Sequence, residues 1–415
     1  MNFIHYKDGI LHAHDVAISQ LVELYGTPLY VYSEDEIAER FIEFKNALAN
    51  TPHLICYAMK ANSNLAIIKM LAELGAGFDI VSQGELERVL KAGGDMSKVV
   101  FSGVAKTDSE IARALDVGIK CFNVESEAEL ENIQSIAERM GKIANISLRI
   151  NPDVDAKTHP YISTGLSGNK FGISYQIARQ VYQKAHKMPN IKIVGIDAHI
   201  GSQLTELAPF LDSADRLLLL VEALKEDGIT IEHIDFGGGL GVCYNDETPP
   251  TATELVTELK KKLANYPYLE IIFEPGRSLV ANAGLLVTKV EYIKHHEGNH
   301  FAIVDAGMNA LIRPALYESW MKILPVIKPK QNAQFYDYDV VGPVCESSCF
   351  LGKKRHLAVT RGDLLVVCGA GAYGFSMSSN YNSQPRAAEV MVTKSTHRLI
   401  RKRESFDMLW QDEII

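Results

Sequence analysis

Between about residue 50 and residue 277 the chain alternates short apolar runs with amphipathic stretches, and this alternation limits its fold more than any other feature. The runs are LICYAM, FDIV, VVF, CFNV, ISLRI, IVGIDAHI, IEHIDF and LEIIFE. Each has the length and composition of a buried strand. Most are separated by segments such as QGELERVLKAGG, SEAELENIQSIAERMG and LDSADRLLLLVEALKEDG, whose leucines and isoleucines recur at helical spacing. Strands interleaved with helices make a parallel sheet, and eight such units suit closure into a (β/α)8 barrel of the TIM type. A doubly wound open sheet is the alternative. It loses ground because no GxGxxG turn follows the first run.

After about residue 280 the texture changes. GLLVTKVEYIKHH, HFAIVDAG, YDYDVVGP, DLLVVCGAGAY and AAEVMV are short, β-branched or alternating, and punctuated by Gly, Pro and charged turns. They predict a second, mostly antiparallel β domain. Near the start, GILHAHDVAISQL and PLYVYS read as further strands of the same sheet. The expected division is therefore a barrel over 31–278 and a discontinuous β domain over 1–30 plus 279–415. A chain of 415 residues is long enough for both.

A formal net charge of -9 argues against nucleic acid or an anionic membrane as partner. The most basic stretch, KSTHRLIRKRE, belongs to a pattern that alternates like two half-buried strands. No apolar run is long enough to span a bilayer and the N-terminus is no signal peptide, so the chain is expected in the cytoplasm. Six scattered cysteines, with Cys345 and Cys349 spaced CxxxC, support neither a disulfide framework nor a metal site.

Barrel enzymes do their chemistry at the C-terminal ends of the strands. Just past the runs stand Lys60, Asp79, Ser102, Asn123, Arg149, His199, the triplet Gly237–Gly238–Gly239, and Glu274 with Arg277. A lysine at a strand mouth is partly desolvated, which frees its amine as a nucleophile for an aldehyde. Lys60 reads equally as a lysine snorkelling from a helix's first turn. The Gly triplet permits close backbone approach and leaves N–H groups to hold a phosphate, although such turns also serve packing. Glu274 is a partner for a protonated ring nitrogen or, more simply, for Arg277. Amine, phosphate cradle and carboxylate in one mouth point to pyridoxal 5'-phosphate (PLP).

YAMKAN (57–62), HIGSQ (199–203), DFGGGLG (235–241), EPGR (274–277), GPVCES (342–347) and GAGAYGFSM (369–377) together resemble the PLP-dependent decarboxylases of the alanine-racemase fold type. Within them the likeness is to the diaminopimelate decarboxylases, and RINPDVDAKTHPYISTG (149–165) and NKFGI (169–173) look like that branch. The resemblance implies a carbon–carbon lyase that converts meso-2,6-diaminopimelate to L-lysine and CO2, the last step of lysine biosynthesis. It also implies a head-to-tail homodimer with shared active sites. Lys60 would carry the cofactor, His199 would lie on its ring, and Glu274 would face the ring nitrogen. Ser202, Gly238, Gly239, Gly276, Arg277 and Tyr373 would hold the phosphate, with Asp79 in support.

Diaminopimelate has an amino-acid centre at each end, so a selective site must bind a remote carboxylate and a remote ammonium. Arginine forks suit carboxylates. The resemblance assigns Arg277 and Arg313, with Tyr317 and Tyr373, to the carboxylate and Glu346 to the ammonium. Without it, Arg313 reads as a surface charge before Pro314. Cys345 would return a proton to the α-carbon after CO2 leaves, since a thiol near pKa ~8.5 can donate one at neutral pH. Two other readings stay open. One is a sister enzyme for ornithine, arginine or carboxynorspermidine. The other is a non-catalytic PLP-fold regulator, against which Lys60 and Cys345 speak.

Overall fold

The computed structural model describes residues 3–154 and 170–415, so most of the 149–165 motif, and Asn169 of the next, lie outside the described residues. The chain forms two compact units: residues 40–242 with 248–278, and residues 1–39 with 243–247 and 279–415. The first boundary thus falls after residue 39, where the sequence placed it after residue 30. The reason is non-local. Leu29–Ser33 is a strand of the β unit, paired with Gly284–Val287 and Ala388–Val392.

The first-named unit is a closed parallel barrel. Its strands are His53–Ala58, Gly77–Ile80, Val99–Phe101, Cys121–Val124, Ala144–Asn151, Ile191–Asp197, His233–Asp235 and Glu270–Phe273. Each pairs with the next, and the last returns to the first. The middle strands are buried along their whole length, as parallel strands covered on both faces must be. Each apolar run of the sequence is found in one of these strands.

A period of two then sets the site on the barrel's apolar layer. Val100, Cys121 and Ile272 belong to a buried cluster with Leu54, Cys56 and Val194. Two residues further along the same strands, hence on the same face, stand Ser102, Asn123 and Glu274. Several outer helices begin with a side-chain cap. Ser82, Thr107, Ser126 and Thr251 accept from the backbone N–H of Glu85, Glu110, Glu129 and Glu254, each cap being worth about 1 kcal/mol.

In the β unit a long strand, Gly284–His296, organises the sheet. Its first half pairs with Leu29–Ser33 on one side and Leu364–Cys368 on the other, and its second half forms a hairpin with Asn299–Val304. Pairing is mostly antiparallel, with parallel exceptions at Leu29–Ser33/Ala388–Val392 and Asn299–Val304/Tyr336–Val341. Of the two N-terminal segments expected in this sheet, only PLYVYS joins it. Residues Ile4–Ala17 make a separate three-stranded sheet whose Leu11, Ala13 and Val16 pack into the same core as Val31, Val287 and Val390. The basic alternating segment is a hairpin of Ala388–Val392 with His397–Arg401. Its first strand is wholly buried rather than half-buried, because it lies inside the sheet.

Candidate active site

Lys60 sits in a three-residue 3-10 turn, Met59–Ala61, at the exit of the first barrel strand. It is not on a helix, because the next helix begins only at Leu65, capped by Asn64. Its Nζ donates to Asp79 Oδ2 at 2.8 Å, with the lysine side chain 36 % exposed and the aspartate side chain fully buried. The expected desolvation of the amine is therefore partial, and a buried carboxylate aims it. Asp79 Oδ1 has no hydrogen-bond partner among the described residues. Behind the pair, burial pushes the Glu85 carboxyl up to about 7, against the pull of the Val81 N–H.

The glycine triplet follows the seventh strand. Gly237 has φ +64° and donates to Asp235 Oδ1 at 2.8 Å; Gly238 donates to His199 Nδ1 at 3.2 Å. Two of the N–H groups expected to hold phosphate are thus spent within the protein, whereas no protein acceptor among the described residues takes that of Gly239. A Cβ on Gly238 would lie 2.3 Å from the Glu274 carbonyl oxygen, and one on Gly239 2.5 Å from that of Gly201. Only glycine lets the three loops meet. A Cβ on Gly276 would lie 3.1 Å from Ala58 and from Ala61, on either side of Lys60. Arg277 is buried, and its guanidinium donates to Ser202 Oγ at 3.0 Å and 3.3 Å. His199 is held neutral: burial first, then the charges of Lys60 and Arg149, lower its pKa well below the ordinary 6.5. Because Nδ1 accepts from Gly238, the ring proton is on Nε2.

Glu274 directly follows the eighth strand, buried, and Asn123 Nδ2 donates to its Oε1 at 3.2 Å. The same amide reaches Ser102 Oγ at 3.2 Å. Oxygens of Asp197, Asp235 and Glu274 lie within 4.8 Å of one another. Burial and this crowding raise all three carboxyls: Glu274 and Asp197 well above the carboxylate range, and Asp235 to about 7. Such crowding disfavours simultaneous charge on all three. Such a donor set also suits a hard cation, but the Asn123 amide and the Gly237 N–H already donate into it. Asp197, Asp235 and Glu125, which pairs with buried Arg149 at 2.8 Å, were not singled out from the sequence. A signal existed: aspartates inside the apolar runs IVGID and IEHID, which the register places side by side.

In the β unit, Arg313 opens a short helix, Arg313–Tyr317. It is buried rather than a surface charge, lies over the Tyr244 ring at 4.5 Å and donates to Ser319 Oγ at 3.3 Å. Tyr317 is half-buried at the helix end. Tyr373 holds φ +54°, a left-handed conformation that costs a non-glycine residue about 1–3 kcal/mol. Cys345 and Glu346 stand exposed on the turn after Tyr336–Val341. Together the residues of the barrel mouth fit PLP. They provide an aimed amine, a glycine cradle with an open N–H, a buried arginine for phosphate, and a carboxyl set for the ring nitrogen.

A family profile described as "Pyridoxal-dependent decarboxylase, pyridoxal binding domain" matches residues 34–281. The chain is 60% identical over 410 residues to the diaminopimelate decarboxylase of Haemophilus influenzae, covering 99% of each chain. It is 58% identical to that of Vibrio cholerae, covering 100% of this chain and 99% of the other. Among solved structures, the diaminopimelate decarboxylase of Helicobacter pylori complexed with L-lysine superposes with a TM-score of 0.91 at 43% identity, covering 95% of this chain and 98% of that one.

Proposed function

The chain belongs to the diaminopimelate decarboxylases of the pyridoxal-dependent decarboxylase family, and on that premise we propose how its residues divide the work. It is a PLP-dependent carbon–carbon lyase that releases CO2 from meso-2,6-diaminopimelate and leaves L-lysine. The observation that carries the assignment is the barrel mouth, where the Lys60–Asp79 pair stands beside a buried Glu274 fixed by Asn123.

When bound, PLP supplies an electron sink for the carbon that loses its carboxylate. Lys60 Nζ would hold its aldehyde carbon, and Asp79 keeps the amine aimed. Gly239, Ser202 and Arg277 would take the phosphate with Tyr373, while the Gly238 N–H sets the tilt of His199 through Nδ1. Glu274, held by Asn123 Nδ2, would face the ring nitrogen as its carboxyl partner, with Asp235 and Asp197 crowded beside it. Arg313 fixes the remote carboxylate and Glu346 the remote ammonium, so the reacting end is chosen by the far end. A simple diamine precursor has no second carboxylate for the buried Arg313, which favours diaminopimelate over ornithine. Cys345 returns a proton to the α-carbon. We assign the working form to a homodimer in which the barrel of one protomer is completed by the partner subunit's Cys345. All six cysteines are free thiols, which suits action in the cytoplasm. Among the described residues no helix is long and apolar enough to cross a membrane.

The test is CO2 release from a panel of meso-diaminopimelate, lysine, ornithine and arginine by the PLP-loaded protein. Turnover is expected on diaminopimelate alone. Comparable turnover of ornithine would overturn the two-ended selection.

A further inference from the structure

The turn that carries Cys345 and Glu346 is closed at its base and exposed at its tip. Gly342 donates to the Cys349 carbonyl at 3.0 Å and Cys349 to the Glu346 carbonyl at 3.0 Å, with Val344 and Cys349 buried. The tip itself is tied to other parts of the chain, among the described residues, by one neighbouring segment. The Cys345 N–H donates to Asn382 Oδ1 at 2.9 Å, and the Tyr381 hydroxyl donates to Glu346 Oε1 at 2.6 Å.

That segment is built to stay in place. Asn382 and the following Ser383 both hold positive φ, +55° and +54°, although neither is glycine. Two left-handed non-glycine residues in succession persist only where their surroundings over-determine them. Asn380 Nδ2 supplies part of that, donating to Glu404 Oε2 at 2.6 Å and to the Gln384 carbonyl at 3.1 Å. Glu404 Oε2 also accepts from the Arg386 N–H at 2.8 Å. Upstream, the Ser379 N–H donates to the Asn309 carbonyl at 2.9 Å. A braced, strained loop presents one acceptor and one donor, and both go to the catalytic turn.

We propose that Asn382 and Tyr381 are positioning residues: Asn382 places the Cys345 thiol through its backbone N–H, and Tyr381 occupies one oxygen of Glu346 so that the other meets the substrate's remote ammonium. The proposal rests on the roles given above to Cys345 and Glu346. It separates two effects that a merely structural loop would merge. Asn382 acts on proton return to the α-carbon, hence on kcat. Tyr381 acts on recognition of the far end, hence on KM.

The experiment is steady-state kinetics on meso-diaminopimelate with the full-length holoenzyme, with PLP content and Tm recorded for every variant. Asn382→Gly keeps the left-handed backbone and removes the acceptor; it is expected to lower kcat roughly ten- to a hundredfold with little change in KM. Asn382→Asp restores the acceptor and should recover most of that loss. Tyr381→Phe is expected to raise KM roughly tenfold with a smaller effect on kcat. PLP content and Tm should hold throughout. Parental kinetics in Asn382→Gly and Tyr381→Phe would overturn the proposal, as would equal shifts of kcat and KM with lowered Tm or failure of Asn382→Asp to recover activity. Cys345→Ala and Glu346→Gln serve as references. If they retain parental kinetics, the assignment of those two residues falls first, and the positioning roles fall with it.

Discussion

Replacing Gly239 by alanine separates the two demands that this barrel mouth makes on a glycine. The residue has φ +99°, and a Cβ there would lie 2.5 Å from the Gly201 carbonyl oxygen. Turning a side chain relieves neither, because the opposing atom is backbone. Left-handed backbone costs an L-residue about 1–2 kcal/mol, and forcing a methyl into a packed site adds about 1–3 kcal/mol. The expected destabilisation is thus about 2–5 kcal/mol. Relief requires Gly201 to move, which carries Ser202 off its bonds to Arg277 and breaks the Leu204 N–H bond to the Gly239 carbonyl, now 2.9 Å. Gly93→Ala is the control, since its φ is +80° but a Cβ there meets nothing within 4 Å. Urea unfolding and PLP titration by absorbance should be run on both. Gly239→Ala should lose more stability than Gly93→Ala and bind PLP at least roughly tenfold more weakly, while Gly93→Ala binds it normally. Equal destabilisation of the two, or parental PLP affinity in Gly239→Ala, would refute the close-approach argument.

Arg313→Ala removes a charge-assisted contact worth about 1.5–3 kcal/mol, so KM for diaminopimelate should rise by roughly tenfold or more with PLP binding intact; unchanged kinetics would remove Arg313 from the site. Asp235 titrates at about 7 in the folded chain against an ordinary aspartate value of 3.8, so the folded chain keeps a proton that the unfolded chain releases between those values. This group therefore lowers stability as pH rises from about 4 to about 7, and unfolding of the apo protein against Asp235→Asn should show the parent losing ground across that window; a pH-independent difference would mean that Asp235 holds no such proton. Lys60→Ala and Cys345→Ala homodimers should each be nearly inactive, yet roughly a quarter of parental activity should return when equal amounts exchange subunits, because about half the dimers then have one intact site of two. No recovery, with exchange shown by mass, would place Cys345 within its own protomer's site or outside the reaction.

The barrel was legible because each buried strand leaves a run in the sequence and each strand mouth a polar residue at a countable place. Partnerships between distant segments were not. Leu29–Ser33 was expected in the β sheet and joins it, but nothing in its own residues names its partners, Gly284–Val287 and Ala388–Val392. GILHAH alternates as well as any strand of that sheet but pairs with its immediate neighbours instead. Lys60 and Glu274 stood out because a charge at the end of an apolar run is conspicuous. Asp197 and Asp235, one or two residues earlier in their loops' approach, were hidden by the hydrophobicity of their own runs, and their proximity depends on register. The triplet's N–H groups looked free because the acceptors that take two of them, Asp235 and His199, come from the strand end before the triplet and from the neighbouring strand's end. Nothing local in SNYNS marks it as the brace of a turn some 35 residues away.

This chain takes CO2 from one end of meso-diaminopimelate, and a proton returns to the same carbon. Incubating the PLP-loaded protein with that substrate in D2O, and following products by NMR with CO2 collected, tests it in one measurement. The expected product is L-lysine carrying a single deuterium at the carbon that lost its carboxylate, in equal amount to the CO2 released. Its formation should be strongly slowed in Cys345→Ala. Release of CO2 without lysine, or lysine lacking that deuterium, would contradict the account.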